Sequence, residues 1–148
     1  MTTIQVTEKT FDATIKQGIV LLDFWAAWCG PCRTFGPVFE AAATRHPDVV
    51  FGKVDTEAEP GLAAAFQIRS IPTLMVLRDG VLLAAQPGAV PAAGIDELVR
   101  KVKALDMDEV RRNVVQKEQK EHKRPKELQK SPAEPTERAE RATKAGGS

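Results

Sequence analysis

Short apolar runs separated by polar turns indicate where the chain forms strands. Five such runs predict strands, at Ile4–Val6, Val20–Trp25, Val49–Val54, Thr73–Leu77 and Val81–Ala85. Val20–Trp25 is almost continuously apolar, which is typical of a strand buried on both faces of a sheet. The last two runs flank Arg78-Asp79-Gly80, and an Asp-Gly pair between two apolar runs predicts a tight β-hairpin.

Apolar residues three and four positions apart predict four helices between and after these strands. The helices cover about Glu8–Lys16, with Thr7 as the N-cap, then Cys29–Arg45, Pro60–Phe66 and Pro91–Leu105. The resulting order, βαβαβαββα, begins with parallel crossovers and ends with an antiparallel hairpin. We therefore expect an α/β fold in which helices cover one mixed central β-sheet.

The 148-residue chain changes composition after the last predicted helix. Residues 1–105 have the apolar content of one compact domain, and residues 106–116 carry enough apolar positions to extend its last helix. Residues 117–148 are rich in Lys, Glu, Pro and Ala, and Leu128 is their one large apolar residue. We expect this tail to be disordered because it has no apolar face to bury.

The net charge of +1 conceals two oppositely charged parts. Residues 1–110 hold 10 Lys+Arg and 14 Asp+Glu, a net charge of −4, whereas residues 111–148 hold 11 Lys+Arg and 6 Glu, a net charge of +5. A positive tail could bind nucleic acid or an anionic membrane surface. Because glutamates dilute the charge and the tail has no aromatic residue, we expect a solvated tail and neither of these partners.

Two further features bear on the cellular compartment. No uninterrupted apolar run of roughly 18 residues is present, so the sequence predicts no membrane-spanning helix. Residues 1–20 have no basic start followed by an apolar run and a cleavage site, so we expect no signal peptide and a cytoplasmic protein. In that compartment, paired cysteines are more often catalytic than structural.

The two cysteines form a Cys-x-x-Cys motif at the junction of a predicted strand and a predicted helix. Unpaired N–H groups and the helix dipole stabilise a thiolate at a helix N-terminus, so we expect Cys29 to be the nucleophile and the more exposed thiol. Cys32 lies one turn further and is expected to attack the resulting mixed disulfide. Gly30 allows a tight turn, and Pro31 suits the first helical turn because proline lacks an N–H. Half of a metal site is the alternative, but no second cysteine pair and no nearby histidine support it.

The residues around this motif resemble the thioredoxin family. The segment from Asp23 to Cys32 is similar to the family's active site, and further matches occur at Phe51–Asp55, Arg69–Thr73, Asp79-Gly80 and Pro87–Ala89. The resemblance covers about residues 4–105. It implies the thioredoxin fold, a three-layer α/β/α sandwich, and a protein-disulfide reductase, because Gly-Pro between the cysteines resembles the reducing members of the family.

Asp23 lies inside the apolar run Val20–Trp25. Burial of an ionised carboxylate without a partner is costly, so we expect the pKa of Asp23 to be raised. A carboxyl that titrates near neutrality can exchange protons with thiols. The resemblance implies this role for Asp23, with Lys53 on the neighbouring strand as its partner. A structural aspartate that ends the strand or caps the next turn is the alternative.

The resemblance also implies a surface on which substrates dock. The Ile71–Pro72 bond is expected to be cis and to pack against the disulfide, where its backbone offers an edge to an extended substrate. Trp28 and Gly88 are expected to belong to the same surface. Hydrophobic packing alone is the alternative for Trp28, and a turn alone is the alternative for Gly88.

The same resemblance implies the reaction partners. The expected substrates are proteins that contain disulfides, and the expected electron donor is an NADPH-linked thioredoxin reductase. We expect no bound cofactor, no metal ion and a monomeric protein. Two other functions stay open: an oxidase or a reductant dedicated to one pathway, and a non-catalytic binding module.

Overall fold

The computed structural model describes residues 3–122 of the chain, with side chains as far as Val114. Within these residues, five strands form one sheet: β1 (Thr3–Gln5), β2 (Ile19–Trp25), β3 (Val50–Asp55), β4 (Thr73–Arg78) and β5 (Val81–Pro87). The same residues contain five helices: α1 (Phe11–Ile15), α2 (Gly30–Arg45), α3 (Pro60–Ala65), α4 (Ala92–Lys103) and α5 (Met107–His122). The predicted order βαβαβαββα is confirmed as far as α4.

The strand order across the sheet is β1-β3-β2-β4-β5. Strands β1, β3 and β2 run parallel, and β4 pairs antiparallel with both β2 and β5, so the sheet is mixed as predicted. Strands β4 and β5 form the predicted hairpin, in which Asp79 and Gly80 have φ angles of 54° and 82°. Positive φ at both central residues is the geometry of a type I′ turn, which matches the twist of the flanking strands.

Two hydrophobic clusters lie on opposite faces of the sheet. On one face, sheet residues pack with α2 and α4, and the larger buried side chains are Leu21, Phe35, Phe39, Phe51, Leu74 and Ile95. On the other face, sheet residues pack with α1 and α3, and the larger buried side chains are Phe11, Leu22, Phe24, Leu62, Met75 and Leu77. The fold is therefore a three-layer α/β/α sandwich, and β2 is buried between the two helical layers.

Helix α1 is shorter than predicted. It begins at Phe11 rather than at Glu8, and Thr10 rather than Thr7 precedes it as the N-cap. Thr7 and Thr10 bond to each other instead. The N–H of Thr7 donates to Thr10 Oγ1 at 3.0 Å, and the N–H of Thr10 donates to the Thr7 carbonyl oxygen at 3.1 Å. These bonds close a turn over residues 7–10 that precedes the helix, and the bond from the Thr14 N–H to the Thr10 carbonyl oxygen at 2.9 Å belongs to α1 itself.

The chain divides into two units at the boundary between Leu105 and Asp106. The prediction that residues 106–116 extend α4 is wrong, because α4 ends at Lys103 and α5 begins separately at Met107, where Asp106 Oδ1 accepts the N–H of Asp108 at 3.1 Å. Helix α5 runs to His122, six residues beyond the predicted helical end at position 116, so the predicted disorder of residues 117–122 is wrong as well. Residues 117–122 consist of Lys, Glu, Gln and His, most of which favour helices, and the next proline comes only at position 125. The remainder of the tail that we predicted to be disordered, residues 123–148, lies outside the described residues.

Candidate active site

Cys29 and Cys32 form a disulfide at the N-terminus of α2. Their Cα atoms are 5.2 Å apart, and Cys29 is the N-cap, with extended backbone angles (φ −88°, ψ 114°). The Cys29 Sγ accepts a hydrogen bond from the N–H of Cys32 at 3.1 Å. Gly30 and Pro31 form the start of the first turn, as their sequence positions predict. The N–H group and the helix dipole both stabilise a thiolate on Cys29 once the disulfide is reduced.

Both cysteines are nearly buried, with 4% of the surface of each exposed. The prediction that Cys29 is the more exposed of the two is therefore wrong for the disulfide form. Cys29 Sγ lies 3.6 Å from the carbonyl oxygen of Ile71, and the disulfide packs with Ala26, Trp25 and Ile71 in a small cluster. Contact with the Ile71 loop, which the local sequence does not reveal, accounts for the burial of Cys29.

The loop before β4 contains a cis peptide bond between Ile71 and Pro72, as the resemblance implies. The carbonyl oxygen of Pro72 accepts a hydrogen bond from the N–H of Gly88 at 2.8 Å. Gly88 has a φ of 96°, a conformation that glycine adopts more readily than other residues. Gly88 is therefore hydrogen-bonded to Pro72, and the Ile71 carbonyl oxygen brings the same loop into contact with the disulfide.

Trp28 directly precedes the disulfide, and 67% of its surface is exposed. Its Nε1 donates a hydrogen bond to Glu57 Oε2 at 3.1 Å. Hydrophobic packing alone therefore does not account for Trp28. Beside the indole is a cavity of about 400 Å³, which extends to Ile71. Its lining is completed by Thr56, Ala63, Ile68, Arg69 and Ser70.

Asp23 is fully buried on β2. Leu21, two residues earlier, packs with α2, and alternate residues of a strand share a face, so Asp23 faces the layer of α2. Neither carboxylate oxygen of Asp23 has a hydrogen-bond partner among the described residues, so Asp23 caps no turn there. Burial raises the pKa of Asp23 from 3.8 to about 6, the Lys53 charge opposes the rise, and the Glu40 charge adds to it.

Lys53 lies opposite Asp23 in the parallel register of β3 and β2. Its Nζ is 3.3 Å from Glu40 Oε2 and 5.2 Å from the centre of the Trp25 ring. The Asp23 carboxylate oxygens make no hydrogen bond to it or to any other described group. The structure therefore pairs the Lys53 ammonium directly with Glu40, whereas Asp23, its expected partner, interacts with it only through charge at longer range.

Two residues of the site, Glu57 and Glu40, were missed in the sequence. Glu57 is one of two acidic residues between β3 and α3, and only the fold brings it to Trp28. The position of Glu40 could have been predicted, because Cys32, Gly36 and Glu40 are spaced four residues apart along the predicted helix. Residues four apart lie on the same helix face, so this spacing places Glu40 on the face that carries Cys32.

The arrangement offers a thiol–disulfide couple that gains or loses two electrons, with a buried carboxyl on the sheet face beneath the same helix. Among the described residues, no group of three or more His, Cys, Asp and Glu side chains could hold a metal ion. In the same part of the chain, no helix combines the length and the apolar character needed to cross a membrane.

Comparisons with known proteins agree with this geometry. The Thioredoxin family model matches residues 2–103. A putative thioredoxin 2 from Streptomyces coelicolor is 54% identical over 117 residues, which cover 78% of this chain and 87% of that protein. A thioredoxin from Bacillus subtilis is 37% identical over 102 residues, which cover 68% of this chain and 98% of that protein.

A solved structure extends the comparison to three dimensions. A variant of a thioredoxin from Halobacterium salinarum matches with a TM-score of 0.66 at 29% identity, over 71% of this chain and 94% of that chain. The sheet order and the two helical layers are therefore those of the thioredoxin fold. With the family match over residues 2–103 and the disulfide of Cys29 and Cys32, the chain belongs to the thioredoxin family and is a protein-disulfide reductase.

Proposed function

We propose that this chain reduces disulfides of cytoplasmic proteins through a dithiol–disulfide cycle, with Cys29 as the nucleophile and Cys32 as the resolving thiol. The observation that carries this assignment is the position of Cys29 as the N-cap of α2, where its Sγ accepts the N–H of Cys32. A negative charge on Cys29 is favoured there by the helix dipole and by that N–H. Gly30 and Pro31 are exposed and small, and they leave room for a substrate in front of the pair.

The reaction consists of two thiol–disulfide exchange steps. The Cys29 thiolate attacks one sulfur of the substrate disulfide, a mixed disulfide forms, and the other substrate sulfur leaves as a thiolate. Cys32 then loses its proton and attacks Cys29 Sγ. The disulfide of Cys29 and Cys32 forms, the second substrate sulfur leaves as a thiolate, and the substrate has gained two electrons.

Asp23 is the proposed acceptor of the Cys32 proton. It is buried on the sheet face that α2 covers, and Cys32 lies in the first turn of that helix. A pKa of about 6 leaves the carboxyl largely ionised at neutral pH, yet more basic than an ordinary aspartate. Lys53 limits the rise of this pKa through its positive charge, which is its proposed contribution to the site.

The proposed docking surface consists of Trp28, Ile71, Pro72 and Gly88. The Ile71 carbonyl oxygen lies 3.6 Å from Cys29 Sγ, so a substrate strand aligned with the Ile71–Pro72 backbone would bring its own sulfur close to Cys29. The cavity of about 400 Å³ beside Trp28 has room for a side chain that neighbours the substrate cysteine. This surface suits an extended segment of a protein better than a small disulfide.

An NADPH-linked thioredoxin reductase is the proposed source of electrons. A disulfide formed in each turnover needs an outside donor to reopen it, and relatives that carry the thioredoxin name support a donor of this type. The chain is proposed to act as a monomer in the cytoplasm, without a bound cofactor and without nucleic acid or a membrane as a partner. Residues 123–148, beyond α5, are proposed to be a disordered tail outside the reductase domain of residues 1–105.

Trapping variants of the full chain test the roles of the two cysteines. Cys32→Ser removes the resolving thiol, so the reduced variant should accumulate a mixed disulfide with insulin. Cys29→Ser is the matched control and should form about tenfold less adduct, because it lacks the activated thiolate. Mass spectrometry after alkylation of free thiols measures both adducts. More adduct on Cys29→Ser than on Cys32→Ser would reverse the assignment.

A further inference from the structure

Glu40 lies on the face of α2 that also carries Cys32 and Gly36, at successive intervals of four residues. Its Oε2 is 3.3 Å from Lys53 Nζ. The Glu40 side chain is 51% exposed, whereas the Lys53 side chain is 16% exposed, so the ion pair reaches from the surface into the layer between α2 and the sheet. Glu40 is thus the charged group in direct contact with the ammonium.

The surroundings of Lys53 Nζ show why the ammonium can remain at this position. It lies 5.2 Å from the centre of the Trp25 ring, a favourable arrangement for a cation over an aromatic face. A Cβ added at Gly36 would lie 3.7 Å from Nζ, an ordinary contact distance, so the ammonium lies close against this turn of α2. Asp23, opposite Lys53 in the strand register, keeps both carboxylate oxygens unpaired among the described residues.

We propose that Glu40 is a positioning residue whose carboxylate holds the Lys53 ammonium away from Asp23 and so keeps Asp23 free to exchange protons with the thiols. The inference rests on the proposed function of Asp23 as the proton acceptor. Without Glu40, the buried ammonium would still be attracted by Asp23, which lies opposite Lys53 in the strand register and interacts with it through charge. Direct contact with an ammonium favours the ionised carboxylate and would make Asp23 a weaker base.

The charged groups that act on Asp23 come from two elements. Lys53 belongs to β3, and Glu40 belongs to α2, whose first turn carries Cys32 and whose N-cap is Cys29. On the other side, β4 contributes Leu74, which does not titrate. The negative charge of Glu40 also acts on Asp23 directly, because like charges disfavour ionisation. Direct repulsion between Glu40 and Asp23 does not require Lys53, whereas the positioning of the ammonium by Glu40 does. A variant that lacks Lys53 therefore separates the two effects.

A double-mutant cycle in the oxidised full chain tests the positioning role. The variants are Glu40→Gln, Lys53→Met and the combination of both, and the readout is the carboxyl ¹³C NMR titration of Asp23, assigned by its loss in Asp23→Asn. We expect Glu40→Gln to lower the Asp23 midpoint by about one pH unit with Lys53 present, and by less than about half of that in Lys53→Met. Equal lowering in both backgrounds, or no lowering, would overturn the proposal. If Lys53→Met does not fold, Lys53→Gln completes the cycle.

Glu97→Gln is the matched control, because it removes the same charge from an ion pair with Arg100 on α4. It should leave the Asp23 midpoint unchanged. The pH profile of insulin reduction by each variant then separates this inference from the proposed function. If Glu40→Gln moves the Asp23 midpoint but not the pH profile, the proton role of Asp23 is wrong and the positioning by Glu40 stands. If Asp23→Asn changes the profile while Glu40→Gln leaves the midpoint in place, the positioning role is wrong.

Discussion

Asp23 combines complete burial with a lack of hydrogen-bond partners among the described residues. A carboxyl in this environment is less costly to bury when protonated, which is why its pKa rises from 3.8 to about 6. The folded chain therefore binds this proton more tightly than the unfolded chain. The associated stability is fully present below the unfolded pKa of 3.8 and is lost as the pH rises through about 6.

Replacing Asp23 by an uncharged isostere should remove this pH dependence. A shift of about two pKa units corresponds to about 3 kcal/mol. From about pH 3.5 to about pH 7.5, the unfolding free energy of Asp23→Asn should rise by roughly that amount relative to the native chain. Urea unfolding at several pH values measures the difference. A difference that is constant with pH would mean that Asp23 has an ordinary pKa in the folded chain.

Single residues could be assigned from the sequence where their chemistry is local. The spacing of Cys29 and Cys32 and the apolar run around Asp23 indicate a redox couple and a buried carboxyl before any fold is known. The exposure of Cys29 could not be predicted, because the carbonyl that covers it belongs to Ile71, 42 residues later. The bond between Trp28 and Glu57 likewise joins residues 29 positions apart.

Elements were predictable where one signal dominates. Strand β2 was evident because both of its faces are apolar, and the β4–β5 hairpin was evident because Asp-Gly supplies the two positive φ angles. Helix ends depend on competing bonds and breakers. The bonds between Thr7 and Thr10 close a separate turn before α1, and the lack of a breaker before position 125 allows α5 to continue to His122.

Strand β3 depends on a glycine at its centre. Gly52 is buried between the neighbouring strands β1 and β2. A Cβ at this position would lie 2.6 Å from Val6 Cγ2 and 2.9 Å from Leu22 Cδ2, closer than carbon atoms normally approach. Because the layer is close-packed, we expect Gly52→Ala to lower the unfolding free energy by about 1–3 kcal/mol, measured by urea unfolding.

Gly30→Ala provides the control for the added methyl group. A Cβ at Gly30 meets no atom within 4 Å, and the residue lies in the first turn of α2. This variant should be neutral or more stable by up to about 1 kcal/mol, because alanine restricts the unfolded chain. Equal unfolding free energies for Gly52→Ala and the native chain would mean that Val6 and Leu22 move aside without cost.

In the whole molecule, the residues of the proposed site all lie in the unit Met1–Leu105. The family and the fold of this part could be predicted because the matching motifs are spread over about residues 4–105. Residues 117–148 hold nine Lys+Arg and six Glu, and a mixed-charge composition of this kind specifies no packed core. The sequence therefore predicts a function for about residues 4–105, whereas for residues 117–148 it predicts only exposure to solvent.

Deletion of residues 117–148 should leave thiol exchange intact. The residues that pack against the disulfide, Trp25, Ala26 and Ile71, all precede Leu105. We expect the truncated and full chains to reduce a small uncharged disulfide and insulin at rates within about a factor of two. Cys29→Ser in the truncated chain gives the background rate.

The two substrates distinguish the ways in which this prediction can fail. A tenfold loss with both substrates would mean that the tail supports the active site itself. A similar loss with insulin alone would mean that the tail recruits protein substrates. Because the tail carries an excess of positive charge, recruitment through that charge would weaken as added salt screens it, whereas a contact with the active site would not.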